Sequence, residues 1–228
     1  MRESRRSSAH TRASHALRAW SVLALVLTAT SVAAQQPTVF EDRAVELCLT
    51  LRNAAACWAD LNNDGWADLC SGGVVWRNDA GKKFTKIAEG LGHVVAADFD
   101  NDGFVDLFSW SSKRVYRNES GKAFKPIATP DLPGGACRGA CWGDFNGDGF
   151  ADLYVGGYED WGKGLTFPDL VLTNEGGKGF KLTWSDRRYR ARGVTACDVD
   201  RDGDLDVYVS NYRLQPNVLW LNDGTGKA

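Results

Sequence analysis

Histidine is nearly absent from this 228-residue chain: three occur, and two of them, His10 and His15, fall within the first 34 residues. His93 is then the sole imidazole of the remainder. That excludes a His-rich zinc centre and leaves one candidate base for a serine or cysteine nucleophile. Its place at the start of an expected strand suits a packed role better. No G-x-S-x-G elbow, phosphate loop or dinucleotide fingerprint appears. Positive charge is not in excess either, with 27 Lys and Arg against 29 Asp and Glu, which argues against a nucleic-acid partner. Beyond residue 34 no run is apolar enough to span a bilayer, and none keeps a sustained helical period.

The first 34 residues read as a secretory signal peptide. Arg2, Arg5, Arg6, Arg12 and Arg18 face the single acid Glu3 and lead into the apolar run AWSVLALVLTATSVAA, with small residues before Gln35 offering a cleavage site. The expected product is exported: secreted, extracellular or at the cell surface, with the periplasm as a further compartment. Removing five arginines and one glutamate leaves 22 basic and 28 acidic residues, a formal net charge of −6. All six cysteines (Cys48, Cys57, Cys70, Cys137, Cys141, Cys197) lie beyond the leader, so disulfides are expected in an oxidising compartment. Fifteen connectivities are open; sequence proximity favours Cys48 with Cys57 and Cys137 with Cys141. Residues 35–54 read as a lead-in strand.

From residue 55 the chain repeats itself. Asp60-Leu-Asn-Asn-Asp-Gly-Trp-Ala-Asp68, Asp98-Phe-Asp-Asn-Asp-Gly-Phe-Val-Asp106, Asp144-Phe-Asn-Gly-Asp-Gly-Phe-Ala-Asp152 and Asp198-Val-Asp-Arg-Asp-Gly-Asp-Leu-Asp206 align without a gap, their starts 38, 46 and 54 residues apart. Units therefore begin near 55, 93, 139 and 193. Each loop is followed by an Asn and a Gly-Lys turn: Asn78 with Gly81-Lys82, Asn118 with Gly121-Lys122, Asn174 with Gly177-Lys178, and Asn222 with Gly226-Lys227. Short β-rich runs separated by Gly, Asn and Asp predict four strands per unit; in the second these are 93–97, 104–110, 113–118 and 123–127. Units of this length with four strands each predict an all-β architecture, a partial β-propeller of about four blades. The last unit breaks off at Ala228, as expected of a piece of a longer protein.

The loops carry oxygen at positions 1, 3, 5 and 9, with glycine at position 6 where the chain must bend sharply. Calcium takes six to eight oxygens, and such a loop supplies them from side chains and one backbone carbonyl at position 7. The candidate ligands are Asp60, Asn62, Asp64, Trp66 and Asp68; Asp98, Asp100, Asp102, Phe104 and Asp106; Asp144, Asn146, Asp148, Phe150 and Asp152; and Asp198, Asp200, Asp202, Asp204 and Asp206. An EF-hand is excluded, since it needs Glu at position 12, where this chain has Ser71, Ser109, Val155 and Val209. Asx-turns without metal would leave several carboxylates crowded in each loop. The loops hold 14 coordinating Asp of the 28 acids, and four Ca²⁺ would bring −6 to about +2. Loops two and four, with Asp at position 3, are expected to bind more tightly than loops one and three.

These residues resemble the FG-GAP and VCBS repeats of integrin alpha subunits and many secreted bacterial proteins. The stretch from Gly193 to Tyr212, with Pro216-Asn217-Val-Leu-Trp-Leu-Asn-Asp-Gly-Thr-Gly, is most similar to the cartilage acidic protein subgroup. The resemblance covers roughly residues 55–228. It implies a calcium-stabilised propeller, usually seven-bladed, with roles in adhesion or extracellular recognition; it names no ligand.

If each Asp loop joins the first two strands of a blade, metal lies at one end of the blades and three enlarged connections lie at the other: 156–168, 185–192 and 210–216. There Trp161 and Tyr212 offer stacking surfaces, while Arg187, Arg188, Arg190 and Arg192 offer partners for carboxylates or sulfates. Taken singly, loop aromatics commonly fold back on a blade and an Arg run is commonly solvated. Two functions follow: a calcium-dependent adhesion or recognition module for extracellular protein or glycan, anionic ones included, or part of a calcium-dependent carbohydrate-active enzyme, a polysaccharide lyase or glycosidase. No catalytic pair stands out, which favours the first. Because liganding requires the folded loop, chelating calcium is expected to lower the melting temperature; an unchanged melt would count against metal in these loops.

Overall fold

The computed structural model describes residues 40–51, 54–133, 135–186 and 189–224. The chain divides into Met1–Phe40 and Glu41–Ala228, and the fold lies in the second unit. The expected signal peptide and the first part of the lead-in segment, residues 35–39, lie outside the described residues.

The architecture is a four-bladed β-propeller of small antiparallel sheets. Blade one is β1 (Ala56–Ala59), β2 (Asp68–Ser71), β3 (Val74–Asn78) and β4 (Phe84–Glu89). Blade two is β5 (Val94–Ala97), β6 (Asp106–Ser109), β7 (Arg114–Asn118) and β8 (Phe124–Pro126), within a residue or two of the expected strands. Blade three holds β9 (Cys137–Gly143) and β10 (Asp152–Gly157), then a small hairpin of β11 (Glu159–Asp160) and β12 (Leu165–Thr166), then β13 (Asp169–Asn174) and β14 (Phe180–Asp186). Blade four shows β15 (Ala191–Cys197), β16 (Asp206–Asn211) and β17 (Val218–Trp220). Each Asp loop joins the first two strands of its blade.

Strand alternation gives every blade two apolar faces, and adjoining blades bury them against each other. Leu61, Cys70, Val75, Val94 and Leu107 fill the space between blades one and two. Phe99, Phe108, Val115, Leu153, Leu172 and Phe180 fill the next, and Cys141, Tyr154, Val207 and Val209 the third. The rows Cys57–Cys70–Val75, Val95–Phe108–Val115 and Cys141–Tyr154–Val171 each lie beneath the following blade. The matching row of blade four, Thr195–Tyr208–Leu219, is exposed.

Two expectations need correction. Residues 43–49 form a turn rather than a lead-in strand: the Leu47 N–H donates to the Arg43 carbonyl at 2.9 Å and the Leu49 N–H to that of Ala44 at 2.8 Å. The coil brings both Leu47 and Leu49 onto the Leu69, Trp76 and Phe84 face of blade one, where the Leu47 carbonyl accepts the Phe84 N–H. The nearest-neighbour disulfides also fail on geometry. Cys137 packs with the core between blades two and three and Cys141 with that between three and four, on opposite faces of β9. Cys57 faces blade two and lies opposite Cys70 in register, whereas Cys48 sits in the exposed coil on the other side of blade one.

The repeated Asn joins the blades. The Asn118 amide donates to Leu61 O at 2.7 Å in the preceding blade and to Val105 O at 2.9 Å in its own, while its oxygen accepts the Gly121 N–H at 2.7 Å. Asn174 and Asn222 repeat the reach, to Phe99 O and Phe145 O. The turn glycine is needed for the same approach: a Cβ on Gly121, at φ 74°, would lie 2.6 Å from Asn62 Cβ. Replacing Asn118 by Ala strands one buried and two part-buried backbone groups, and a loss of about 3 kcal/mol is expected in denaturant unfolding. A loss below about 0.5 kcal/mol, the range of surface changes, would show that the bridge carries no weight.

Candidate functional site

The four Asp loops share one internal geometry. The position-1 carboxylate accepts the backbone N–H of positions 5 and 6: Asp60 from Asp64 and Gly65 at 3.1 and 2.8 Å, Asp98 from Asp102 and Gly103 at 3.2 and 2.9 Å, and Asp144 from Asp148 and Gly149 at 3.1 and 2.8 Å. In loop four Asp198 takes the N–H of Arg201 and Gly203. Position 5 accepts the N–H of position 7, through Asp64, Asp102, Asp148 and Asp202 to Trp66, Phe104, Phe150 and Asp204. Position 6 is left-handed in every loop, with Gly103 at φ 90°.

Position 4 is left-handed too, at Asn63, Asn101, Gly147 and Arg201. Asparagine tolerates that region well and has a second use here. Asn63 donates to Gly103 O at 2.8 Å and Asn101 to Gly149 O at 2.9 Å, linking each loop to the next. Arg201, at φ 65°, holds the same conformation without that amide.

The buried position-9 carboxylates do more than the sequence reading assigned them. Asp106 accepts the Phe99 N–H at 3.2 Å and the Asn118 N–H at 2.7 Å, tying the loop's start to the end of the third strand. Asp68, Asp152 and Asp206 do the same with Leu61 and Asn78, Phe145 and Asn174, and Val199 and Asn222. Burial pushes Asp106 up to about 7 and Asp152 up to about 6, against the opposing pull of those amides. Burial raises Asp68 and Asp100 as well.

Three carboxylate oxygens converge within 4.8 Å in loop two, from Asp98, Asp100 and Asp106, and in loop four, from Asp198, Asp200 and Asp206. In loops one and three the position-3 group is an amide, and Asn62 and Asn146 donate to Asp64 and Asp148 at 2.9 and 3.1 Å. The donor set is hard oxygen in a tight bend, which fits a hard divalent cation. Arg117 lies 2.7 Å from Asp100 and partly offsets the charge of loop two.

At the opposite ends of β9, β10, β15 and β16, away from the loops, lies an open cleft of about 720 Å³. Three of the six proposed ligand residues, Trp161, Arg192 and Tyr212, line it, and Arg190 joins it through Glu159; Arg187 and Arg188 lie outside the described residues. Aromatic rings and guanidinium groups alternate along it. Arg213 lies 3.8 Å from the centre of the Trp161 ring and 5.4 Å from that of Tyr212; Arg192 lies 4.2 Å from Tyr212 and 5.0 Å from Tyr158; Arg138 lies 5.2 Å from Tyr158. Arg192 also donates to the Tyr158 hydroxyl at 2.8 Å. Beneath this ladder the buried carboxylate of Glu159 pairs with Arg190 at 2.7 Å and Arg213 at 3.5 Å. At the root of the β11–β12 insertion, buried Asp169 accepts the Tyr154 hydroxyl at 2.8 Å and the Gly157 N–H at 2.7 Å.

Sequence reasoning missed Arg138, Tyr158, Glu159 and Arg213. Arg213 follows a flagged tyrosine, and Tyr158 and Glu159 lie inside a flagged insertion. Arg138 gave no signal, because its part depends on blade three meeting blade four. His93 lies 5.7 Å from Trp110, ring stacked on ring, in the packed role expected of it.

Residues 98–155 match the family model of the FG-GAP-like repeat. That span holds loops two and three whole; loops one and four lie outside it and share the left-handed glycine bend. Among solved structures the chain is similar to the V. cholerae biofilm matrix protein Bap1, at a TM-score of 0.40 and 19% identity, over 68% of this chain and 24% of that one. The chain thus spans about a quarter of that protein's length. No curated protein matches it.

The raised carboxyls set a pH dependence for the metal-free protein. Unfolded carboxyls titrate near 3.9, so above that pH folded Asp106 and Asp152 still hold protons that the unfolded chain has released. The stabilisation is full below about pH 4 and is lost as pH rises through about 6 to 7. In chelator the melting temperature is therefore expected to fall between about pH 4 and 7, and added calcium, which favours the ionised carboxylates, to reverse the slope. Asp106→Asn should make it shallower and leave the share of Asp152; an unaltered slope in that variant would refute the assignment.

Proposed function

We propose that this protein is an exported calcium-binding recognition module, in which ions in the Asp loops brace one end of the propeller and the cleft at the other end binds an extracellular protein or glycan. The observation that supports this most is the separation itself. Metal-suited oxygen sets lie at one end of the blades, and a preformed aromatic and guanidinium surface lies at the other. Among the described residues no helix is long and apolar enough to cross a membrane.

Each loop would hold its ion through positions 1, 3, 5 and 9 and the position-7 carbonyl, about four ions in all. Bound calcium supplies charge neutralisation and a rigid bend. The chain's own part is to fix the ladder: Glu159 holds Arg213 against Trp161 from below, and the Tyr158 hydroxyl fixes Arg192. Arginine held flat on an aromatic ring keeps its N–H edges free for a partner and loses little further entropy on binding.

The test is binding of the calcium-loaded chain to arrayed glycans and extracellular matrix proteins, with the captured ligand followed over time. Trp161→Ala is expected to weaken capture roughly tenfold, about 1.4 kcal/mol. Trp58→Ala, at an exposed tryptophan of blade one, should leave capture unchanged, and the ligand should keep its length. Ligand shortening would replace the binding reading by the enzymatic one, and indifference to Trp161→Ala would remove the cleft from the function.

A further inference from the structure

Within the cleft the charges are not balanced. Arg138, Lys163, Arg192 and Arg213 line it against Glu159 and Asp160. Asp160 pairs with Lys163 at 3.1 Å, and Glu159 is shared between Arg213 and Arg190. Among the described residues neither Arg138 nor Arg192 has an acidic partner, and both are exposed. Both guanidinium groups stand over the Tyr158 ring, at 5.2 and 5.0 Å. The cleft therefore carries surplus positive charge on a chain whose formal net charge is −2.

Two further features mark a built surface. Trp161 has Arg213 against its ring at 3.8 Å, yet 69% of the residue is exposed, so much of the indole remains open to the cleft. Arg213 and Leu214 both hold left-handed backbone, at φ 58° and 60°. Side chains adopt that region at a cost, and consecutive instances persist only where the surroundings enforce them. Here the strained turn delivers Arg213 onto Trp161.

Resting on the recognition reading above, we propose that the cleft binds an acidic polysaccharide through the carboxylates of its uronic acid residues. A guanidinium fork matches a planar carboxylate with two parallel hydrogen bonds. The open indole offers a flat apolar seat for the C–H face of a pyranose ring, as aromatic side chains do for ligands with one apolar and one polar side. A uronic acid carries both features on one rigid ring. An aspartate or glutamate side chain of an acidic peptide carries the carboxylate alone. An open cleft at the blade ends also lets a polymer continue in both directions.

The test is calorimetric titration of the calcium-loaded protein with a tetragalacturonate oligosaccharide, its methyl ester as the uncharged counterpart, and a poly-glutamate peptide. The acid is expected to bind, with the ester and the peptide each at least roughly tenfold weaker. Arg138→Gln combined with Arg192→Gln should reduce affinity for the acid to that of the ester, Arg192→Lys should restore only part of it, and Trp161→Ala should weaken acid and ester alike. Melting temperatures in calcium verify that each variant is folded. Equal binding of acid and ester, a tighter peptide, or indifference to the paired arginine change would overturn the proposal. If uronates fail while another ligand remains sensitive to Trp161→Ala, this proposal falls and the recognition reading stands; if no ligand responds to Trp161→Ala, both fall.

Discussion

A buried carboxylate that accepts two backbone amides is the constraint on which the propeller rests. Asp68, Asp106, Asp152 and Asp206 are almost wholly out of water, where an ionised group is costly unless hydrogen-bonded. Each satisfies that need by joining the second residue of its Asp loop to the asparagine that ends the third strand. The same asparagine then reaches the preceding loop. Loop geometry and blade packing are therefore one network, and a change in loop charge is felt at the contact between blades.

That network explains what the sequence disclosed. The aligned loops and the strand alternation were enough to place four blades, because each unit carries its own turn glycines, caps and apolar period. The second task of the ninth position was not legible, since a D-x-D-x-D-G pattern shows where oxygens are but not that one of them faces backbone amides. The lead-in segment misled for the opposite reason: 35–54 has no repeat partner to compare, and its shape follows from Leu47 and Leu49 covering blade one. The cleft lay between these cases. Trp161, Tyr212, Arg190 and Arg192 stood out as enlarged connections, while Arg138 and Glu159 gained meaning only when separate blades brought them together.

Charge is distributed along the blades with opposite sign at the two ends. Acid is concentrated where the chain bends at glycine, and arginine where the insertions meet. Glu159 fixes Arg190 and Arg213 from beneath, while Arg138 and Arg192 are held over Tyr158. The groups suited to a cation and those suited to an anion are therefore different ones, at opposite ends of the blades.

The uncovered row Thr195–Tyr208–Leu219 gives the array a polarity. The trailing faces of blades one to three are sealed by their successors, whereas among the described residues nothing covers that of blade four. Amide exchange should then be quicker in β16 and β17 than in the strands between blades two and three, where the largest aromatic cluster lies.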